Sequence, residues 1–142
     1  MSTVHKVCPV VFRDPSMRQI LAFEHPREGV QLVKGGVEPG ESVRAAALRE
    51  LEEESGIADS GIVADLGTLE PGQDGYVWSL QLCTFPGQMP ESWTHHCVDD
   101  GGQDFRFFWH DVNEKPGPGW QEQFRRALDA IRERSRPHRW RG

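Results

Sequence analysis

Short runs of alternating or continuous hydrophobic residues lie on either side of one helical stretch. His5 to Phe12 reads as a strand, and Pro9 within it favours a sheet edge or bulge because proline cannot donate to a ladder. Arg13-Asp14-Pro15-Ser16 reads as a turn, Gln19 to Phe23 as a second strand and Val30 to Val33 as a short third. Gly35-Gly36 and Pro39-Gly40 bracket a loop. Ser42 to Ser55 is then dominated by alanine, leucine, arginine and glutamate, all strong helix formers. Ser42 can cap the start of that helix, and Gly56 can end it in a left-handed conformation.

Two or three further strands follow. In the clearest, Tyr76, Trp78, Leu80 and Leu82 alternate onto one face. Phe105 to Trp109 is more uniformly apolar, which predicts a strand buried on both sides. After Pro116-Gly117-Pro118-Gly119, the residues Trp120, Phe124, Ala127, Leu128 and Ile131 recur at spacings of three and four. They predict a last helix over about 119–135 with one apolar face. Strands around a central helix, closed by a second helix, predict a mixed α/β sandwich.

Composition adds limits to this outline. The chain has 142 residues, 37% hydrophobic and 27% charged, with no repeat or linker, so one domain spanning 1–142 is expected. No run approaches the roughly 20 apolar residues that span a bilayer. The first residues lack a secretory pattern, and a cytoplasmic location without membrane contact is the expectation. Cys8, Cys83 and Cys97 are too few for a disulfide framework and are expected to pack as small apolar residues. His95-His96-Cys97 has no CxxC or HxxxH partner, which argues against a zinc site. The net charge of −6 argues against charge-driven nucleic-acid binding. Charge is nonetheless uneven: acids crowd Glu50 to Glu54, whereas Arg132 to Arg141 carries five arginines, read first as a solvated helix end.

The acidic cluster is the candidate chemistry. On a helical wheel with Glu50 at zero, Glu53 falls near −60° and Glu54 near +40°, about 100° per residue, so the three project together. Like charges at this spacing cost a few tenths of a kcal/mol per pair. The helix C-terminus disfavours them further. Arg49 can offset part of the repulsion, and a divalent cation more, since hard cations prefer several oxygen ligands. An isolated cluster of this kind is ordinarily a solvated face. The preceding glycine loop changes that balance, because glycine lets backbone groups approach phosphate or metal closely. Lys34 beside it supplies a point charge for a phosphate oxygen.

The segment GGVEPGESVRAAALRELEEESGI resembles the Nudix box, G-x5-E-x7-R-E-U-x-E-E-x-G-U with U a bulky aliphatic. Gly35, Glu41, Arg49-Glu50-Leu51, Glu53-Glu54 and Gly56-Ile57 fill every specified position from 35 to 57. With fixed residues at about 5–7% background, one placement matches by chance on the order of 10⁻⁹. The resemblance implies a Nudix-like αβα sandwich with a mixed β-sheet and two main helices. It implies Glu50, Glu53 and Glu54 as ligands of Mg2+, with Mn2+ a common substitute. It further implies that Arg49 orients a box glutamate, that Glu41 steadies the loop–helix junction, and that a carbonyl of Gly35 or Gly36 meets the metal. Lys34, Gly35 and Gly36 are then the substrate-binding candidates. Glu53 is the candidate general base, with Arg49 its catalytic partner. Because relatives differ here, Asp99, Asp100, Asp104, His95 and His96 are alternatives, each also readable as a turn or surface residue.

The implied reaction is magnesium-dependent cleavage of a pyrophosphate bond in a nucleoside diphosphate linked to a second group, X. Lys34-Gly35-Gly36 resembles a K-G-G variant of relatives acting on dinucleoside polyphosphates or diphosphoinositol phosphates; those usually carry proline before the lysine, where this chain has Val33. Pro71 and Tyr76 fall roughly where markers of the ADP-ribose or dinucleoside polyphosphate subfamilies stand, without matching their spacing. Trp78, Trp93 and Trp109 are read as core before base-stacking groups. A small nucleotide is the expected partner; an RNA 5′ end, which the arginine tail favours slightly, and a homodimer are left open. The competing class is a Nudix-fold binding or regulatory module without turnover, which an eroded box would favour.

Overall fold

The structure is a computed structural model that describes residues 3–139, apart from the Asp100 side chain. Trp140 and Arg141 of the arginine-rich tail, and the side chain of Asp100, lie outside the described residues. In chain order the elements are β1 (Lys6–Val10), β2 (Gln19–His25), β3 (Gly29–Gln31), β4 (Gly35–Gly36), α1 (Val43–Ser55), β5 (Ile62–Leu69), β6 (Trp78–Cys83), β7 (Ser92–Cys97), β8 (Gln103–Asp111) and α2 (Glu122–Ser135). The expected mixed α/β class holds, with two main helices and the strands divided into two four-stranded sheets. One is mixed, ordered β4-β1-β6-β5 with β1 and β6 parallel; the other is antiparallel, ordered β3-β2-β8-β7.

The sheets join where the chain leaves β1: Leu21 N–H donates to Val11 O at 2.8 Å, and Phe12 bridges Ile20. Pro9 pairs with Gln81 beyond the end of β4, which reaches only Lys6 and Val7, so its missing N–H costs no ladder bond on that side. One core cluster lies between the mixed sheet and α2, with Trp78, Leu80, Phe124, Leu128 and Ile131 at its centre. The other joins Leu51 of α1 to Phe23, Phe105, Phe107 and Trp109 of the antiparallel sheet. Among the described residues, no helix is long and apolar enough to cross a membrane.

Four expectations are corrected. The third strand ends at Gln31, because Leu32 and Val33 leave it to enter different core clusters. Tyr76 precedes β6 and is exposed, stacked on His5 at 5.1 Å; β6 itself is buried on both faces, with Ser79, Gln81 and Cys83 opposite Trp78, Leu80 and Leu82. Over Phe105 to Trp109, β8 is buried on both faces except at Arg106, which is exposed: Phe105, Phe107 and Trp109 face one core cluster while Phe108 packs partly against the other. Trp120 sits before α2, hydrogen-bonded to Gly117 O and bridged to Val30, so the helix proper starts at Glu122. The tail arginines tie α2 down: Arg132 bonds Val112 O and Asp129, and Arg134 bonds the carbonyls of Leu66 and Thr68.

Candidate active site

Local signals at both ends hold α1 in place. Ser42 Oγ accepts from Ala45 N–H at 3.1 Å, and Gly56, at φ +82°, donates its N–H to Glu52 O. Ala46, Ala47 and Leu51 are fully buried, which turns Glu50 and Glu54 inward beside them. The Glu50 carboxyl lies directly against Gly35, where an added Cβ would overlap its Cδ. A side chain there would have to displace that carboxyl. β4 holds that glycine through the pairing of Gly35 with Val7 and Gly36 with Lys6.

Arg49 binds this corner together. Its guanidinium forks onto Glu41 (Nε to Oε2, 2.7 Å; Nη2 to Oε1, 2.9 Å) and donates to Gly36 O at 2.9 Å. Nη1 reaches Glu50 at 2.9 Å and Glu53 at 3.2 Å. Such bidentate charge-assisted bonds fix geometry as well as charge. The guanidinium accordingly holds the Glu41 carboxyl down at about 2. Glu41 also accepts from Glu38 N–H, tying the loop to the helix.

Glu50 and Glu54 face a cleft of about 700 Å³ between the two sheets, shared with Lys6, Lys34, Gly35 and Gly36. Burial pushes the Glu54 carboxyl well above its ordinary range, and contact with Glu50 pushes it further; Lys34, through its charge and backbone N–H, acts in the opposite direction. The Lys34 ammonium lies 5.1 Å from the Trp78 ring centre and 5.6 Å from that of Phe124, a cation–π seat on the core. Burial lowers its pKa, as does the charge of Lys6. A hollow of about 730 Å³ beyond the C-terminus of α1 is lined by Phe85, Met89 and Trp93 and holds none of the box carboxylates.

The structure therefore gathers Lys34, Gly35, Gly36, Glu50 and Glu54, and leaves Glu53 at the rim. Glu53 is exposed and joined to the others through Arg49; partial burial raises its pKa, and the charge of Glu50 adds to this. The sequence projected all three glutamates together, but the 100° between Glu53 and Glu54 is enough to put them on opposite sides of the cleft edge. Asp99 lines the cleft. Asp104 does not: it pairs with the exposed His96 at 2.7 Å. His95 meets Glu53 O at 3.1 Å and Trp93 donates to Ser55 O at 3.0 Å, so β7 grips the end of the carboxylate helix. Trp78 is buried, and Trp109 belongs to the second core cluster, which excludes both from stacking on a base.

Among the described residues, no group of three or more His, Cys, Asp or Glu side chains converges as a ready-made metal site. The donors still fit a hard divalent cation. Glu50 and Glu54 are adjacent buried carboxyls, and burial together with the Glu50 contact pushes the Glu54 carboxyl up, a penalty that a bound cation would relieve. Glu50, Glu54 and, at the rim, Glu53 are the residues that would hold it. Several cleft residues outside the box escaped the sequence reading. Lys6 and the glutamines Gln31, Gln121 and Gln123 line the same cleft from three distant segments, and nothing in their spacing links them.

The sequence matches the NUDIX domain family over residues 4–128. A comparison with the curated proteins found no match. Among solved structures, the chain resembles a UDP-X diphosphatase (TM-score 0.68, 15% identity), over 98% of this chain and 66% of that one. It spans just under two thirds of that protein. It also resembles an ADP-ribose pyrophosphatase from Streptococcus suis (TM-score 0.68, 16% identity), over 96% of this chain and 94% of that one. At these identities the likeness establishes the fold, and with the match over most of its length the chain belongs to the NUDIX domain family.

Proposed function

We propose that the protein is a divalent-cation-dependent pyrophosphohydrolase acting on a nucleoside diphosphate linked to a second group, with Mg2+ the natural ion and Mn2+ able to replace it. The observation that carries this reading is the pair of buried carboxyls, Glu50 and Glu54, set in a cleft that also presents two lysines. Burying two adjacent carboxyls costs stability without a cation, and a site that keeps such a cost is a candidate for function. The complete box supports it. So do the names of the two similar structures, a UDP-X diphosphatase and an ADP-ribose pyrophosphatase.

A bound cation supplies charge neutralisation on the pyrophosphate oxygens and a more acidic water. The protein's part is to place and desolvate. Glu50 is held in one position by Gly35 and Arg49, and Glu54 by burial and the Lys34 N–H. Glu53, at the wet rim with a raised pKa, takes the proton as water adds to phosphorus and the bridging P–O bond breaks. Lys34 draws charge from the phosphoryl oxygens.

The test is a pyrophosphatase screen with Mg2+ over nucleoside triphosphates, dinucleoside polyphosphates, nucleotide sugars, ADP-ribose and 5′-triphosphate RNA. Glu54→Gln and Glu53→Gln are each expected to lose at least about 10²-fold in rate on whichever substrate wild type cleaves. Asp99→Asn is expected to stay within about 3-fold; the reverse ranking of E53Q and D99N would move the base to Asp99. The competing reading is a non-catalytic binding module, which the complete box disfavours. Tight Mg2+-dependent binding with no product across the panel would establish that reading instead.

A further inference from the structure

Lys6 was not distinguished by the sequence, yet its placement is as constrained as that of Lys34. In the antiparallel pairing of β1 with β4, Lys6 stands opposite Gly36 and Val7 opposite Gly35. Continuing that register by two residues puts Lys34 opposite Cys8. Side chains two apart along a strand share a face, so Lys6 and Lys34 leave the same face of the mixed sheet as diagonal neighbours. Trp78, opposite Lys6 on β6, belongs to that face, and Lys34 rests over its ring. Gly36 adds no side chain between them: a Cβ there would lie 4.0 Å from Lys6 Nζ, so the ammonium spans the bare backbone of the box loop.

Neither lysine is held in an ion pair, although the charges of Glu54 and Asp74 reach Lys34. Among the described residues no carboxylate forms an ion pair with Lys6 or Lys34; their contacts are with rings, Tyr76 at 5.4 Å for Lys6 and Trp78 and Phe124 for Lys34. Two like charges on one face are unfavourable unless an anion lies between them. The buried carboxyls Glu50 and Glu54 line the same cleft, which is therefore bipolar: oxygens on α1, ammonium groups on the sheet.

We propose that Lys6 and Lys34 form a two-lysine clamp for one of the two linked phosphoryl groups of the substrate, the other lying against the glutamates of α1. Lys6 is a binding residue contributed by β1, outside the box. The clamp rests on the pyrophosphohydrolase reading for its substrate, but its anion affinity can be measured without turnover. A lysine ammonium is a point charge that takes phosphate oxygens without the planar fork of arginine, so it accepts the tetrahedral group from several directions. The ring contacts then hold the stems so that less side-chain freedom is lost on binding.

The decisive measurement is calorimetric titration of inorganic pyrophosphate with Mg2+ into wild type, Lys6→Met and Lys6→Arg, beside steady-state kinetics on the best substrate of the screen. K6M is expected to weaken pyrophosphate binding at least 10-fold, and K34M likewise. K6R should stay within about 3-fold of wild type, because the charge is kept. In turnover, K6M should raise KM with kcat changed less than about 3-fold, the signature of lost uniform binding. Unchanged pyrophosphate affinity in K6M, with or without a lower melting temperature, would overturn the clamp and leave Lys6 a structural partner of Tyr76. K6Q serves as the neutral variant if K6M does not fold. A wild type that cleaves nothing in the panel but binds pyrophosphate in a Lys6-dependent way refutes the hydrolase reading alone.

Discussion

Gly35 shows how little space the site allows. A methyl group there would overlap the Glu50 carboxyl, whose side chain can swing away at small cost to the fold. Gly35→Ala is therefore expected to keep its melting temperature within a few degrees while losing on the order of 10²-fold in kcat/KM, the scale of a 1 Å misplacement of a reacting group. Equal losses in stability and rate would instead show that the loop has collapsed. The same close contact explains why Glu50 was readable from the box and Lys6 was not. Glu50 is tied to its neighbours by local spacing on one helix, whereas Lys6 gains its meaning only when β4, some thirty residues later, pairs with β1.

At the level of elements, the carboxylate helix has stops at both ends and an external grip. Ser42→Ala removes the side-chain cap on Ala45 N–H and should cost about 1 kcal/mol by urea denaturation. Gly56→Ala forces a side chain into the left-handed region at φ +82°, about 1–2 kcal/mol, and brings its Cβ within 2.9 Å of His95 Nδ1. G56A should thus be the worse variant, and an effect no larger than that of S42A would show that β7 can give way. Both caps were legible, because capping is written within four residues. The grip of Trp93 and His95 on Ser55 O and Glu53 O was not, since it joins positions about forty residues apart. The continuous apolar run of β8 also misled for a reason of scale: Arg106 breaks it on one face only, and that face is decided by the neighbouring strands.

At the level of the whole molecule, the site opposes stability. A carboxyl whose folded pKa is raised contributes stability below its unfolded value, near 4.5, and loses it as pH climbs through the folded value. In EDTA, Glu54→Gln should therefore unfold at higher urea than wild type at pH 8, with the gap closing towards pH 5. Added Mg2+ should narrow or reverse the order, because ligand binding stabilises only the form that binds it. A gap that does not change with pH would mean that Glu54 is not held neutral. Glu41 behaves oppositely: its contribution is present above about 4.5 and fades as pH falls through about 2, so its bond to Arg49 survives into acid. The far wall of the cleft has a further consequence. It is a seam where Val30 N–H meets Gly119 O at 2.9 Å, Gln121 bonds Glu28 O, and Gly29 at φ +83° leaves no room for a side chain against Gly119. Gln31 and Gln121, on the two lips of this seam, both line the cleft. A ligand held between them would stitch the antiparallel sheet to the lead-in of α2. Redesigning what this protein accepts would then mean rewriting both lips together, since a change on one alone loosens the closure that shapes the other.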